Sequence, residues 1–245
     1  MVEIEHIKGC LAGKILRVDL TSSKIWTEPT EKYVKLTLGG RGTNSLIMFN
    51  EIRPGTRWYD PENLLCFGVG SLVGTMAPGA CRVDVSSINV FTGGKGSANV
   101  GGFWGAELKY AGYDNIIVSG QAKKPVYLYL KDDKVEIRDA AFIWGKTTFE
   151  TEDLLRKKLE DENIKVALIG PAGENQIRGS AIIVDTAKAA GGSGVGCVMG
   201  NKKLKAIVVR GHGKITVAKP QHFLNEVLKG YRQCNKNPNT KMMRK

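Results

Sequence analysis

The chain has 245 residues, 42% of them hydrophobic and 24% charged, so it can bury a substantial core and is too apolar to stay disordered. Thirty-six lysines and arginines against 24 acids leave a formal charge of +12, yet no zinc-finger spacing, RGG series or aromatic RNA-binding strand accompanies it, and nucleic acid is not expected as a partner. There is no apolar run of about 18 residues and no cationic start ahead of an apolar core, so neither a membrane span nor a secretory leader is expected.

Residues 13–26, GKILRVDLTSSKIW, alternate apolar and polar on either side of Thr21 to Lys24 and predict a β-hairpin. Residues 29–50 predict helix interrupted at LGGRG, 38–42. That break either leaves backbone amides and Arg41 for an anion, or merely lets two helices turn sharply with Arg41 on the surface. NLLCFGVG, 63–70, reads as a short buried strand, too brief to be told from a buried helix by periodicity alone, and CRVDVSSINVF, 81–91, reads as a strand beyond Pro78 and Gly79.

TGGKGSANVGGFWGAELKYAG, 92–112, is the stretch around which the chain is organised. Ordering so many glycines costs entropy, and Phe103, Trp104 and Tyr110 fix them in place, so the backbone here is expected to approach something flat or phosphorylated. Phe103 to Ala111 predict a short helix, and NIIVSG, 115–120, a strand. PVYLYLKDDKVEIRD, 125–139, is the clearest hairpin, in which Tyr127 and Tyr129 are expected to cover a sheet face.

An amphipathic helix follows over 147–159, then a strand and tight connection at 164–174, an apolar run at 180–185, a second glycine cluster at 191–200 and a strand at 204–211. A strand followed by a glycine or proline connection thus occurs twice, at 63–79 and 164–173. Glycines, a short helical segment and an IIV or IVV strand also occur twice, at 101–120 and 192–211. This echo predicts two related βαβ-like or mixed-sheet lobes folded together. A last helix is expected from Pro220 to Tyr231.

Cysteines at 10, 66, 81, 197 and 234 are odd in number and contain no CxxC pair, so neither a disulfide framework nor a local cluster cradle is expected, and a reducing, cytoplasmic compartment is. Cys66, Cys81 and Cys197 read as small buried packing residues. His6, His212 and His222 have no metal-binding spacing. Glu107 reads as an ion-pair residue and Asp185 as a cap, which leaves no acid–base constellation. Gly194, Gly196 and Gly200 are spaced GxGxxxG with no strand expected directly before them, which argues against a nicotinamide or ATP site. The best anion candidates are Arg41, Arg82 and Lys95, each beside tight backbone, together with Asn99.

Read together, GKILRVDLTSSKI, LGGRG, GSLVGTMAP, Arg82, ANVGGFWGAELKYAGYDNIIVSG, PVYLYLKDDKVEIRDA, IGPAGE and GVGCVMGNKKLKAI resemble, in order over residues 10–211, the amino-terminal region of the tungsten-containing aldehyde ferredoxin oxidoreductase family. GGFWGAELKYAGYD is similar as well to that family's branch containing the tungsten subunit of an aromatic-acyl-CoA reductase. The resemblance implies an α+β fold, a mixed α/β domain with two related β-sheets forming a base for a tungsten bis-pterin cofactor. Residues 1–211 would be the cofactor-binding domain and 212–245 a linker and the start of a truncated helical domain.

By the same resemblance, Arg82 lies near the pterin phosphates. Asn99 helps position the magnesium that bridges them, through its backbone carbonyl, and Ser193 falls near the second backbone contributor. Gly101 and Gly102 permit close approach, and Arg41 and Lys95 are candidate further phosphate contacts. Gly192 stands where relatives commonly carry arginine in AAGRxG, a lost donor that would alter phosphate binding, open space for a different substrate branch, or be replaced by Lys95 or Lys188. No catalytic residue is assigned.

The complete enzyme would oxidise an aldehyde to a carboxylic acid and pass electrons through a [4Fe–4S] cluster, held by a later region, to ferredoxin or another electron-transfer subunit. Its partners would be that acceptor, the remaining part of the enzyme, and further copies in an oligomer. Tungsten against molybdenum stays open. A chain of this length is expected to be a fragment, a truncated product or one piece of a split enzyme, inactive alone. The alternatives are the aromatic-acyl-CoA reductase subunit and a noncatalytic assembly partner.

Overall fold

A computed structural model describes residues 9–243; His6 lies outside them. The first half of the chain runs β1 (Lys14–Asp19), β2 (Lys24–Pro29), α1 (Glu31–Thr37), α2 (Gly40–Glu51), β3 (Leu65–Val69), β4 (Val83–Ile88), β5 (Lys95–Val100), α3 (Trp104–Tyr110) and β6 (Asn115–Ser119). The second half runs β7 (Val126–Lys131), β8 (Lys134–Asp139), α4 (Thr148–Leu159), β9 (Lys165–Leu168), α5 (Pro171–Glu174), β10 (Ile182–Val184), β11 (Lys188–Ala190), α6 (Val195–Asn201) and β12 (Leu204–Arg210). Helices α7 (Pro220–Lys236) and α8 (Pro238–Met243) follow, so the last expected helix extends past Tyr231.

The strands form two six-stranded sheets, β2-β1-β6-β3-β4-β5 and β11-β10-β9-β12-β7-β8. Read from opposite ends, these are the same order. Each sheet has one parallel pair, β1 with β6 and β7 with β12, and is antiparallel elsewhere. The repeated pattern in the sequence is therefore a repeated topology, and the sheets are mixed rather than built from βαβ units alone.

Local chemistry explains the elements. In the β7–β8 hairpin Lys131 pairs with Lys134, and Asp132 takes a left-handed φ of 51° in the two-residue turn. Thr147 and Glu150 form a reciprocal capping box at the start of α4. At LGGRG, Leu38, Gly39 and Gly40 have φ of 58°, 97° and 55°, which turns α1 sharply into α2.

Strand alternation divides the core into layers. Inward residues of both sheets, such as Leu16, Phe67, Val85, Leu128, Ile182 and Val209, join one cluster with Trp104, Leu108 and Val198 of α3 and α6. The outer face of the first sheet packs Ile15, Cys66 and Ile117 against Ile47 and Met48 of α2, and the outer face of the second packs Tyr127, Val166 and Val208 against Leu155 of α4. Tyr127 and Tyr129 cover a sheet face, as the alternation predicts.

Two helices lie between the sheets. Helix α3, which follows β5, packs on β9 and β12 of the second sheet, while α6, which follows β11, touches both sheets, β10 and β12 of its own and β3 and β4 of the first. Trp104 shows the arrangement. It is fully buried, its ring lies 5.6 Å from that of Phe67, and its indole N–H donates to the Ile207 carbonyl at 3.1 Å. Such a ring gains area burial and loses nothing for its polar edge.

Two strands lie where none is apparent in the sequence. β5 falls inside the first glycine-rich stretch, and β11 runs up to the second cluster, where no strand was expected. Among the described residues, no helix is long and apolar enough to cross a membrane.

Candidate functional site

The two halves meet at their edge strands. β5 ends one sheet, β11 ends the other, and the two are in contact. In β5 the inward residues are small, Gly96 and Ala98, ahead of Val100, while Lys95, Ser97 and Asn99 form an exposed row on the outer face. Smallness is required, since a methyl at Gly96 would lie 2.8 Å from the Ser193 Cβ.

A groove of about 420 Å³ opens at the end of this row, lined by Cys81, Arg82, Asn99, Val100, Gly101, Gly102, Lys188 and Ala189. Four of the residues singled out from the sequence, Arg82, Asn99, Gly101 and Gly102, are thus brought together. A methyl at Gly101 would sit 3.8 Å from both Cδ and Nε of Arg82, so the guanidinium stem lies along bare backbone. At Gly102 the φ of 123° already disfavours a side chain, and a methyl would collide with the Asp185 carboxylate. That carboxylate accepts the Phe103 N–H at the start of α3, so Asp185 does act as a cap, from the other sheet.

Lys188 joins the groove from β11 and was foreseen only as a substitute donor. Among the described residues neither Arg82 nor Lys188 makes an ion pair or side-chain hydrogen bond. Cys81 corrects an expectation: it is exposed in the groove, whereas Cys66 and Cys197 are buried. Burial pushes the Cys66 thiol up to about 12, as befits a packing residue. Cys81 sits in the loop just ahead of β4, outside the alternation that would have buried it.

Gly192 and Ser193 lie three and two residues ahead of α6, as Gly101 and Gly102 do ahead of α3, so the two selected pairs occupy equivalent places in the two halves. Ser193 does not line the groove. It is 4% exposed beneath β5, its carbonyl accepts the Val90 N–H at 3.3 Å, and its Oγ is buried without a partner. Gly192, with φ 91°, has open space on its side-chain side.

Arg41 and Lys95 stand outside the groove but on the same outer face. Arg41 is 66% exposed at the side chain, with its Nε 3.5 Å from Asp84 Oδ2. Lys95 borders a larger groove of about 690 Å³ between α2 and the β4–β5 turn, lined by Met48, Phe49, Ile52 and Arg53. Glu107 pairs with Arg210 at 2.8 Å, as read, but in a buried position.

The donor set suits a phosphate-bearing group: two cations without ion-pair partners among the described residues line one groove with the bare backbone of Gly101, while the Asp185 carboxylate lies against Gly102. Among the described residues no three His, Cys, Asp or Glu side chains converge to hold a metal ion themselves.

Comparison with known proteins bears on the family and the fold. A sequence model described as "Aldehyde ferredoxin oxidoreductase, N-terminal domain" matches residues 15–211. The tungsten-containing aldehyde ferredoxin oxidoreductase of Pyrococcus abyssi is 45% identical over 227 residues, which is 92% of this chain and 37% of that protein. The WOR-like subunit of an aliphatic sulfonate oxidoreductase from Pyrococcus furiosus is 40% identical over 83% of this chain and 35% of its own. A chain in the active-site complex BamBC of benzoyl coenzyme A reductase, solved with 1,5-dienoyl-CoA, superposes with a TM-score of 0.90 at 42% identity, covering 94% of this chain and 36% of that one. The chain therefore spans little more than a third of the length of these relatives. By sequence and by fold, it belongs to the aldehyde ferredoxin oxidoreductase family.

Proposed function

We propose that this chain is the floor on which a tungsten bis-pterin cofactor rests by its phosphates, within an oxidoreductase that converts aldehydes to carboxylic acids with ferredoxin as acceptor. The observation that carries the reading is the meeting of Arg82 and Lys188, both without acidic partners, at the bare backbone of Gly101 and Gly102. When bound, the metal would supply the two-electron chemistry. The residues of this chain would do the holding. Arg82 presents a forked pair of donors to phosphate oxygens, and Lys188 adds a mobile point charge from the opposite sheet.

Asn99, which lines the groove, and Ser193, which lies beneath β5 outside it, would offer backbone carbonyls to a magnesium ion. The Ser193 carbonyl, although it accepts one N–H, retains a second lone pair. Arg41 and Lys95 would extend the positive field along the outer face of β5. The segment from 212 onward, which carries α7, is read as the connection into the remaining length of the relatives, where the [4Fe–4S] cluster, the substrate cavity and the ferredoxin contact would lie.

Replacing Arg82 with alanine tests this directly. In the complete assembly, tungsten and pterin content per protein should fall at least about tenfold with unchanged circular dichroism, since one bidentate charge-assisted contact is lost at an exposed site. Unchanged metal and pterin content would end the reading. The TM-score of 0.90 to the benzoyl-CoA reductase chain supports a second branch, reduction of an aromatic acyl-CoA. Assaying the same assembly against aldehydes and aromatic acyl-CoA esters separates the two.

A further inference from the structure

The outer face of the first sheet conceals a polar network that neither the fold nor the groove requires. Asp84 of β4 is 4% exposed. Its Oδ1 accepts from Asn44 Nδ2 of α2 at 2.9 Å and from the Ser86 hydroxyl, while its Oδ2 accepts from the Ser97 hydroxyl of β5. Asn44 Oδ1 in turn accepts from Asn115 Nδ2 of β6 at 2.9 Å. The network crosses the sheet and ends at its surface, where Asp84 Oδ2 meets Arg41 Nε at 3.5 Å.

Position gives this arrangement a purpose. Asp84 pairs directly with Asn99 across the β4–β5 ladder, and directly paired residues point to the same face. Asn99 lines the groove that Arg82 also lines. The Arg41 guanidinium, whose Nε lies 3.5 Å from Asp84 Oδ2 with the side chain 66% exposed, therefore stands on the same side of the strand pair as Asn99. A buried carboxylate with this many donors is a fixed point, and a guanidinium paired with it loses less freedom on engaging an anion than one free in solvent.

We propose that Asp84 is a positioning residue for Arg41, holding it over the outer face of β5 so that a second guanidinium flanks the groove; this rests on the phosphate-binding reading above. The sign of one substitution separates positioning from simple electrostatics. Removing a negative charge beside an anion site should by Coulomb's law tighten anion binding. If Asp84 acts by orienting Arg41, Asp84→Asn should weaken it instead.

The test is titration calorimetry of inorganic pyrophosphate with the 245-residue chain. Asp84→Asn and Arg41→Lys are each expected to weaken binding about fivefold, and Asp84→Asn should add nothing in an Arg41→Gln background, the coupling expected of residues acting as one unit. Arg41→Lys lies at an exposed site, keeps the charge and carries no folding risk. Tighter or unchanged binding by Asp84→Asn, wild-type binding by Arg41→Lys, or an undiminished loss in the Arg41→Gln background overturns the proposal.

Arg82→Gln serves as the control for the parent reading. No loss there sinks that reading, whereas a loss there with the Asp84 criteria unmet sinks only the positioning role. Orientation is also read without ligand, from the arginine Nε–H region of the ¹H–¹⁵N spectrum. The Arg41 signal should be resolved in the wild-type chain and collapse to the solvent-exposed position in Asp84→Asn. Its persistence unchanged overturns the proposal even if pyrophosphate does not bind.

Discussion

The two halves share a strand order but place opposite charges at the same point. Ile15 of β1 pairs with Asn115 and Tyr127 of β7 with Ala206, so Asp114 and Lys205 each stand one residue ahead of those partners, at the entrance to the central strand. Both are buried, Asp114 at 1% and Lys205 at 0% exposure. Asp114 accepts from the backbone N–H of Ala12 and Gly13 and from Thr30, and lies 3.5 Å from Lys109. Lys205 donates to the Lys146 carbonyl at 2.9 Å and pairs with Glu174. What the fold needs at this point is a polar pin, not a charge of fixed sign. The halves differ again at the edge: β5 has six residues with an exposed polar row, β11 only three. The first half supplies most of the groove's lining and the second closes it from the other side.

The strongest way to break this comparison is at the pins. Asp114→Ala leaves the Lys109 ammonium buried without its carboxylate and should cost about 4 kcal/mol by urea denaturation. Lys205→Met should cost about 3 kcal/mol because Glu174 is stranded, and adding Glu174→Leu should recover most of that. If the double variant is as unstable as the single, the pin in the second half is more than an ion pair. Next in size is packing under α6. Gly200 stands where α3 has Lys109, and a methyl there would collide with the Gly173 carbonyl oxygen of α5, so Gly200→Ala should lower stability by about 3 kcal/mol. A thermal melt suffices to check it.

A smaller effect concerns Lys202, which ties α6 to the first sheet's loops by donating to the carbonyls of Gly120 at 2.9 Å and Pro61 at 3.4 Å. Burial pushes its ammonium down to about 8. A lysine lowered on folding binds fewer protons folded than unfolded between its two values, so stability rises with pH through that window. From pH 8 to pH 9 the gain should be about 1 kcal/mol, absent in Lys202→Met. Cys66 contributes with opposite sign above its ordinary value, so the comparison with Lys202→Met, measured by denaturation at both pH values, isolates the lysine. Smallest is the share of the second half in anion binding. Lys188→Gln should weaken pyrophosphate about twofold, well short of Arg82→Gln, since a flexible ammonium gives up less than a planar fork.

Much of this architecture is legible in the sequence because its apolar runs are bounded by turn residues and recur. NIIVS and LKAIVVR read as strands, LCFGV is too brief to be told from buried helix by period alone, and the repetition points to the doubled topology. β5 is hidden because its inward positions are Gly96 and Ala98, chosen small by the approach of Ser193 rather than apolar by a deep core. β11, KAA, is too short to show a period. At the site, Arg82, Asn99, Gly101 and Gly102 could be found from their neighbours in the chain. Lys188 and Asp185 reach them only because two sheets meet edge to edge, and the Asp84–Arg41 contact spans elements whose proximity no local spacing encodes.

The packing of α3 against the second sheet bears on how the protein is made. When the first sheet has left the ribosome, Trp104 still lacks the Ile207 carbonyl that receives its indole N–H, because that strand belongs to the last part of the second half. A nascent chain must wait for β12 before its largest buried ring is satisfied, which makes folding non-local and slow and leaves the incomplete first half exposed to sticky encounters meanwhile.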